Sequence, residues 1–206
     1  MDMSFKEVLK KFRDWPLSAQ MITIIIPIFS ILVWVSIIFY PDFSFIDHHM
    51  SSLGSSGGNP EGFIYFVVAC IITGALLVPF FIGLFRWRTD SKLFNVSLYV
   101  VIGIGFVACF GIIMQAIYRA DFGTEHFYYS AVHWVADMFL LMVAPIALLL
   151  HKQYYKPISI VGVIATVFNI YYIVTWGHDA WIEWITAIST LLFAVLVGAN
   201  MVRKKM

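Results

Sequence analysis

Six separate apolar runs dominate this sequence, at roughly 19–40, 62–86, 94–118, 127–150, 157–176 and 180–201. Each reaches or approaches the ~20 residues a helix needs to cross a ~30 Å hydrocarbon core. Inside lipid a chain must satisfy its own backbone, so only a helix or a closed barrel can span it. Barrel strands alternate between apolar and polar residues, whereas these runs are continuous. The expected fold is therefore all-α: a polytopic membrane protein, a bundle of six transmembrane helices forming a single domain over residues 1–206. Composition agrees, since 12% of residues are charged, against about 25% in soluble domains.

The basic residues predict an orientation. Lys6, Lys10, Lys11 and Arg13 precede the first run, and Arg86, Arg88 and Lys92 separate the second from the third. Lys152 and Lys156 separate the fourth from the fifth, and Arg203, Lys204 and Lys205 follow the sixth. With six spans all four groups fall on one side, and only Arg119 falls opposite. The positive-inside rule then places both termini in the cytoplasm of a cell-membrane protein. The net charge of +1 gives no reason to expect a nucleic-acid partner; membrane lipids are the expected neighbours.

The first run is longer than the core of a signal peptide and lacks a small-residue cleavage site, so it reads as a retained anchor. Before it, Phe5, Val8, Leu9, Phe12 and Trp15 recur at helical spacing among lysines. That pattern fits either a short helix on the membrane surface or a basic tail. Cys70 and Cys109 fall inside apolar runs and read as reduced core residues.

The other face gathers the chemistry. His48, His49, His126, His133 and His178 lie there, with Asp42, Asp47, Glu61, Asp121, Glu125, Asp137, Asp179 and Glu183. In the fourth run His126, Ser130, His133 and Asp137 are spaced four, three and four residues apart. At 100° per residue they share an arc of about 60° on one helix face. Asp137 would lie about 16 Å below His126, at a depth where an ionisable group suggests a function and a nearby partner. The alternative is that His133 and Asp137 pair only with each other and join helices.

Imidazole and carboxylate together suit a divalent metal such as zinc, held by three protein ligands with one open position. His126, His133, Asp137 and His178 are the candidate ligands, and a hydrogen-bonded proton relay is the rival. Ser51 and Ser52, in the first outer loop, are candidate nucleophiles beside a histidine, with His133 and Asp137 as the other candidate catalytic groups. The plainer reading of that loop is a flexible Gly/Ser segment ending with Asn59 as N-cap of the second span. Candidate substrate-binding residues are His48, His49, Asn59, Arg119, Glu183 and Trp134. Tyr40, Tyr118, Tyr128, Tyr129, Trp134, Trp176, Trp181 and Trp184 read as an aromatic belt.

The stretch Asp47-His48-His49-Met50-Ser51-Ser52-Leu53-Gly54, followed by Asn59-Pro60 and a span ending Gly83-Leu84-Phe85, resembles a prokaryotic six-helix membrane family of unknown function. Tyr118-Arg119-Ala120-Asp121 and His126 would match its turn before the fourth span. The layout is also similar to the DRAM-like autophagy modulators and to GPI-anchor lipid-remodelling proteins. The resemblance implies a six-helix fold and lipid handling, and fixes no substrate. Three functions remain open: a metal-assisted enzyme acting on a lipid or lipid-linked head group, a non-catalytic lipid-binding or scaffold protein, and a proton-coupled carrier.

Overall fold

The structure, a computed structural model, describes residues 5–176 and 179–204. It is all-helical. A short helix α1 (Phe5–Arg13) precedes α2 (Leu17–Ile38), α3 (Phe63–Gly83), α4 (Lys92–Ile117), α5 (Thr124–Leu149), α6 (Lys156–Trp176) and α7 (Ala180–Lys204). Among the described residues five helices, α2, α3, α4, α5 and α7, are long and apolar enough to cross a membrane. In α6 the apolar stretch is shorter, Lys156–Tyr171. As expected for chains that meet lipid, large apolar side chains face outward on several helices, among them Ile31, Val107, Ile146, Val167 and Val174.

The helices form a ring. Each from α2 to α7 packs on its neighbour in sequence, and α7 closes back onto α2. Small residues let the backbones approach, as expected where helices associate without a hydrophobic drive. A Cβ at Gly111 of α4 would sit 2.7 Å from the His133 backbone nitrogen of α5, and one at Gly74 of α3 would sit 2.5 Å from Ile113. The α4–α5 contact therefore fixes the depth of His133.

Pro145 sits inside α5 and removes the N–H that would bond the Leu141 carbonyl. Thr166 of α6 donates its hydroxyl to that carbonyl. Gly162, one turn earlier on α6, leaves room for the proline ring, since a Cβ there would clash with Pro145 Cγ at 2.3 Å. The α5–α6 contact is thus built around a backbone defect and its repair.

The α1 segment is helical, so the tail alternative does not hold for residues 5–13. Cys70 and Cys109 are free and buried, as the sequence implied. The first interhelical loop departs from expectation. It is no flexible Gly/Ser linker, but carries a 3₁₀ turn at Met50–Gly54 and is pinned to three other parts of the fold. Asn59 is not the N-cap of α3 either. That position is Gly62, whose N–H donates to Asn59 Oδ1 at 3.1 Å.

Candidate functional site

The first loop, residues 39–62, covers one end of the ring. Three polar anchors hold it. The innermost is Asn59, which has no exposed surface. Its Nδ2 donates to the Ser36 carbonyl at 3.1 Å, to Ser36 Oγ at 3.0 Å and to the Leu53 carbonyl at 3.0 Å. With Gly62 on Oδ1, the side chain is fully engaged by protein, which makes it a brace between α2, the loop and the start of α3.

Asp121, on the connection between α4 and α5, forms the second anchor. Its carboxylate accepts from Ser55 Oγ at 2.7 Å, Ser56 N at 2.7 Å, Ser56 Oγ at 2.8 Å and Gly57 N at 3.3 Å. Arg119 Nε adds a fifth donor at 2.9 Å, and its guanidinium lies over the Phe63 ring at 4.7 Å. Burial raises the Asp121 carboxyl, but the donors from Ser55, Ser56 and Gly57 outweigh it and hold the group well below the usual carboxylate range. Arg119 therefore serves the loop clasp.

Glu183, in the first turn of α7, is the third anchor. It accepts from Ser51 N at 3.1 Å and Ser51 Oγ at 3.4 Å, and pairs with His49 Nδ1 at 3.2 Å. That bond raises the His49 pKa above the ordinary imidazole value, against a smaller opposing effect of burial. Next to it, Trp184 donates Nε1–H to the His48 carbonyl at 3.0 Å and packs edge-on against Phe43 and Phe45. Trp184 is buried and belongs to this lock, not to a surface belt. His48 accepts from Ser44 N at 3.0 Å and stacks on Phe43. Ser52 donates to the His49 carbonyl at 2.6 Å. Around Ser51 the carboxylate, not an imidazole, sits against the hydroxyl.

The fourth-span stripe divides into two parts. His126 donates Nδ1–H to the Tyr118 carbonyl at 2.7 Å, with the Gln115 carbonyl at 3.2 Å. Ser130 lies 3.2 Å from its Nε2. His126 thus caps the free carbonyls at the end of α4, and both ring nitrogens are engaged. Deeper, His133 Nδ1–H donates to the Ala108 carbonyl at 3.2 Å. This fixes the tautomer and leaves Nε2 facing Asp137 Oδ2 at 3.7 Å.

His133 and Asp137 line a cavity of about 100 Å³ in the middle of the ring. Gln115, Trp134, Glu183, Thr73 and Met50 also reach it, among apolar walls from α2, α3, α4, α5 and α7. Met50 brings the loop itself into the wall. Thr73 is 2% exposed and its hydroxyl has no partner among the described residues. In sequence Thr73 and Gln115 are isolated polar residues within apolar runs; their depth on α3 and α4, set by Gly74 and Gly111, brings them to the cavity that His133 lines.

Of the sequence-derived candidates, the fold brings His133, Asp137, Trp134 and Glu183 to one cavity, and His49 and Ser51 to Glu183. His126, Asn59, Arg119, His48 and Ser52 are occupied elsewhere, and His178 lies outside the described residues. Among the described residues no three His, Cys, Asp or Glu side chains gather as a metal would require.

The ring of apolar helices and their outward-facing apolar side chains are those of an α-helical, multi-pass membrane protein by length and composition. A family model matches residues 23–203, and the chain belongs to that family, described as a protein of unknown function, DUF998. No curated protein and no solved structure matches it.

Proposed function

We propose that this protein binds an amphiphile, a lipid or a lipid-linked molecule, in the central cavity, with His133, Asp137 and Glu183 holding its polar group. The observation that carries the reading is the cavity's mixed lining. Apolar walls surround a carboxylate and an imidazole nitrogen that faces it at 3.7 Å, with the Thr73 hydroxyl unpartnered in the same wall. Binding sites for small molecules have this form, mostly apolar with a few converging polar groups. All six long helices cross the membrane in this proposal, with the basic end in the cytoplasm and the clasped loop outside.

Native mass spectrometry of the purified protein tests the binding. Wild type should retain a bound amphiphile through detergent exchange, and Asp137→Asn and Thr73→Val should lose it while eluting normally. Equal retention in all three would refute the site. A cysteine at Glu61 should react with an impermeant reagent in intact cells, and one at Lys204 only after permeabilisation; the reverse would refute the orientation. Catalysis is the second reading, favoured by His133 Nε2, which lies 3.7 Å from the Asp137 carboxyl on the cavity wall. Under it His133→Ala would abolish turnover of a co-purifying lipid.

A further inference from the structure

The opposite end of the ring carries a second cavity, of about 390 Å³. It lies between the α3–α4 connection and the α5–α6 connection, and most of its lining residues are polar or charged. Arg86, Arg88 and Lys152 project cations around it, against a single carboxylate, Asp90. None of these three cations makes an ion pair among the described residues. By contrast Lys156, nearby, is engaged by the Leu149 and His151 carbonyls.

The backbone between these cations is tied down by side-chain hydrogen bonds. Thr89 N donates to Asn95 Oδ1 at 3.0 Å and Asn95 Nδ2 returns to the Thr89 carbonyl at 2.7 Å. Ser91 Oγ caps α4 by accepting from Phe94 N at 3.3 Å. Across the cavity His151 is buried, packs on Phe94 at 5.0 Å and accepts from Gln153 N at 3.2 Å. Burial, then the nearby Lys156 charge, lowers its pKa below the ordinary imidazole value. Trp87 forms the floor at 2% exposure, and its indole N–H is unpartnered among the described residues.

A chain that merely keeps its cations on one leaflet needs neither a fixed frame nor a cavity between them. We infer that this cavity is a binding site for a phosphate group, held by Arg86, Arg88 and Lys152 from two separate connections. Guanidinium and ammonium groups are the side chains that recognise phosphate oxygens, arginine in two-pronged fashion. The phosphate could belong to an anionic lipid head group or to a soluble phosphate compound, and the two sources separate experimentally.

The full chain is placed in nanodiscs of phosphatidylcholine, or of phosphatidylcholine with phosphatidylglycerol. Retained lipids are counted by mass spectrometry, and inorganic phosphate is titrated in the neutral discs by thermal shift. Wild type should enrich the anionic lipid or be stabilised by millimolar phosphate, which identifies the source. The double variant Arg88→Gln/Lys152→Gln should lose about 25-fold in apparent affinity, at about fivefold per cation. Lys204→Gln, equally basic in position but remote from the cavity, should behave as wild type. If neither anion is retained, or if Lys204→Gln loses as much as the double variant, the site is refuted. A double variant with unchanged helicity and elution keeps the comparison valid. The result is independent of the central cavity, because none of these residues lines it.

Discussion

Replacing Asn59 by alanine should unseat the first loop. The side chain has no exposed surface and makes four hydrogen bonds. Truncation leaves the Ser36 carbonyl without its Asn59 partner, while the Gly62 N–H keeps the backbone carbonyl of residue 59 at 3.2 Å. A buried group left unsatisfied costs about 1–3 kcal/mol, which sets the expected loss. At about 2–4 °C per kcal/mol for a chain of this size, that loss of about 1–3 kcal/mol should lower the midpoint in detergent by about 2–12 °C. Asn59→Asp sharpens the test, because it keeps the shape and turns an oxygen toward carbonyls 3.0–3.1 Å away. That carboxyl would have a raised pKa in the folded state. The folded protein then binds the extra proton, so stability returns as pH falls through the raised value and is lost as pH rises. Thermal melts read by intrinsic fluorescence at pH 5 and pH 8 measure both effects. If Asn59→Ala melts within about 2 °C of wild type, less than a single kcal/mol would shift it, and yet releases the co-purifying amphiphile, Asn59 is a ligand contact and the brace is wrong.

Thr166→Val keeps the shape of the side chain but leaves the Leu141 carbonyl unmet beside Pro145; a loss of about 1–2 kcal/mol should appear as an earlier melt. The His49–Glu183 contact contributes below the ordinary imidazole pKa of 6.5 and fades as pH rises through the raised folded value. Proteolysis within residues 39–62 should therefore quicken above pH 6.5 in wild type and show no such step in His49→Gln. Asp121 behaves oppositely: its folded pKa is depressed, so its contribution is complete above the ordinary carboxylate range and is lost only as pH falls below it. At pH 7 Asp121→Asn should raise hydrogen exchange several-fold at the Ser56 and Gly57 amides, which donate to this carboxylate. An unchanged rate would show that the clasp does not hold the loop. Cys70 and Cys109, buried and unpaired, should resist aqueous thiol reagents until the protein unfolds.

Sequence periodicity and hydropathy located the helices well because lipid exposure imposes a long, continuous apolar pattern. The run expected at 94–118 is the helix Lys92–Ile117, and that expected at 127–150 is Thr124–Leu149. The shared face of His133 and Asp137 followed from helical geometry alone. The division of the stripe did not, because it depends on which carbonyls of α4 lie opposite: Ala108 for His133, Tyr118 for His126. Nor could spacing show that Ser55 and Ser56 are donors to Asp121, some 65 residues away. A Gly/Ser run carries the composition of a linker, and only its long-range partner makes it rigid. Trp184 misled for a similar reason: its position near a helix end matched a membrane belt, while its indole N–H is bonded to the His48 carbonyl.

The central claim is that the cavity around His133 and Asp137 selects an amphiphile. A photo-crosslinking phenylalanine analogue at Trp134, which lines that cavity, should capture one species well above its share of the membrane. The same analogue at Phe139, exposed on the outer surface of α5, should capture bulk lipids in proportion to their abundance. Bulk proportions at both positions, or no adduct at Trp134, would contradict the account.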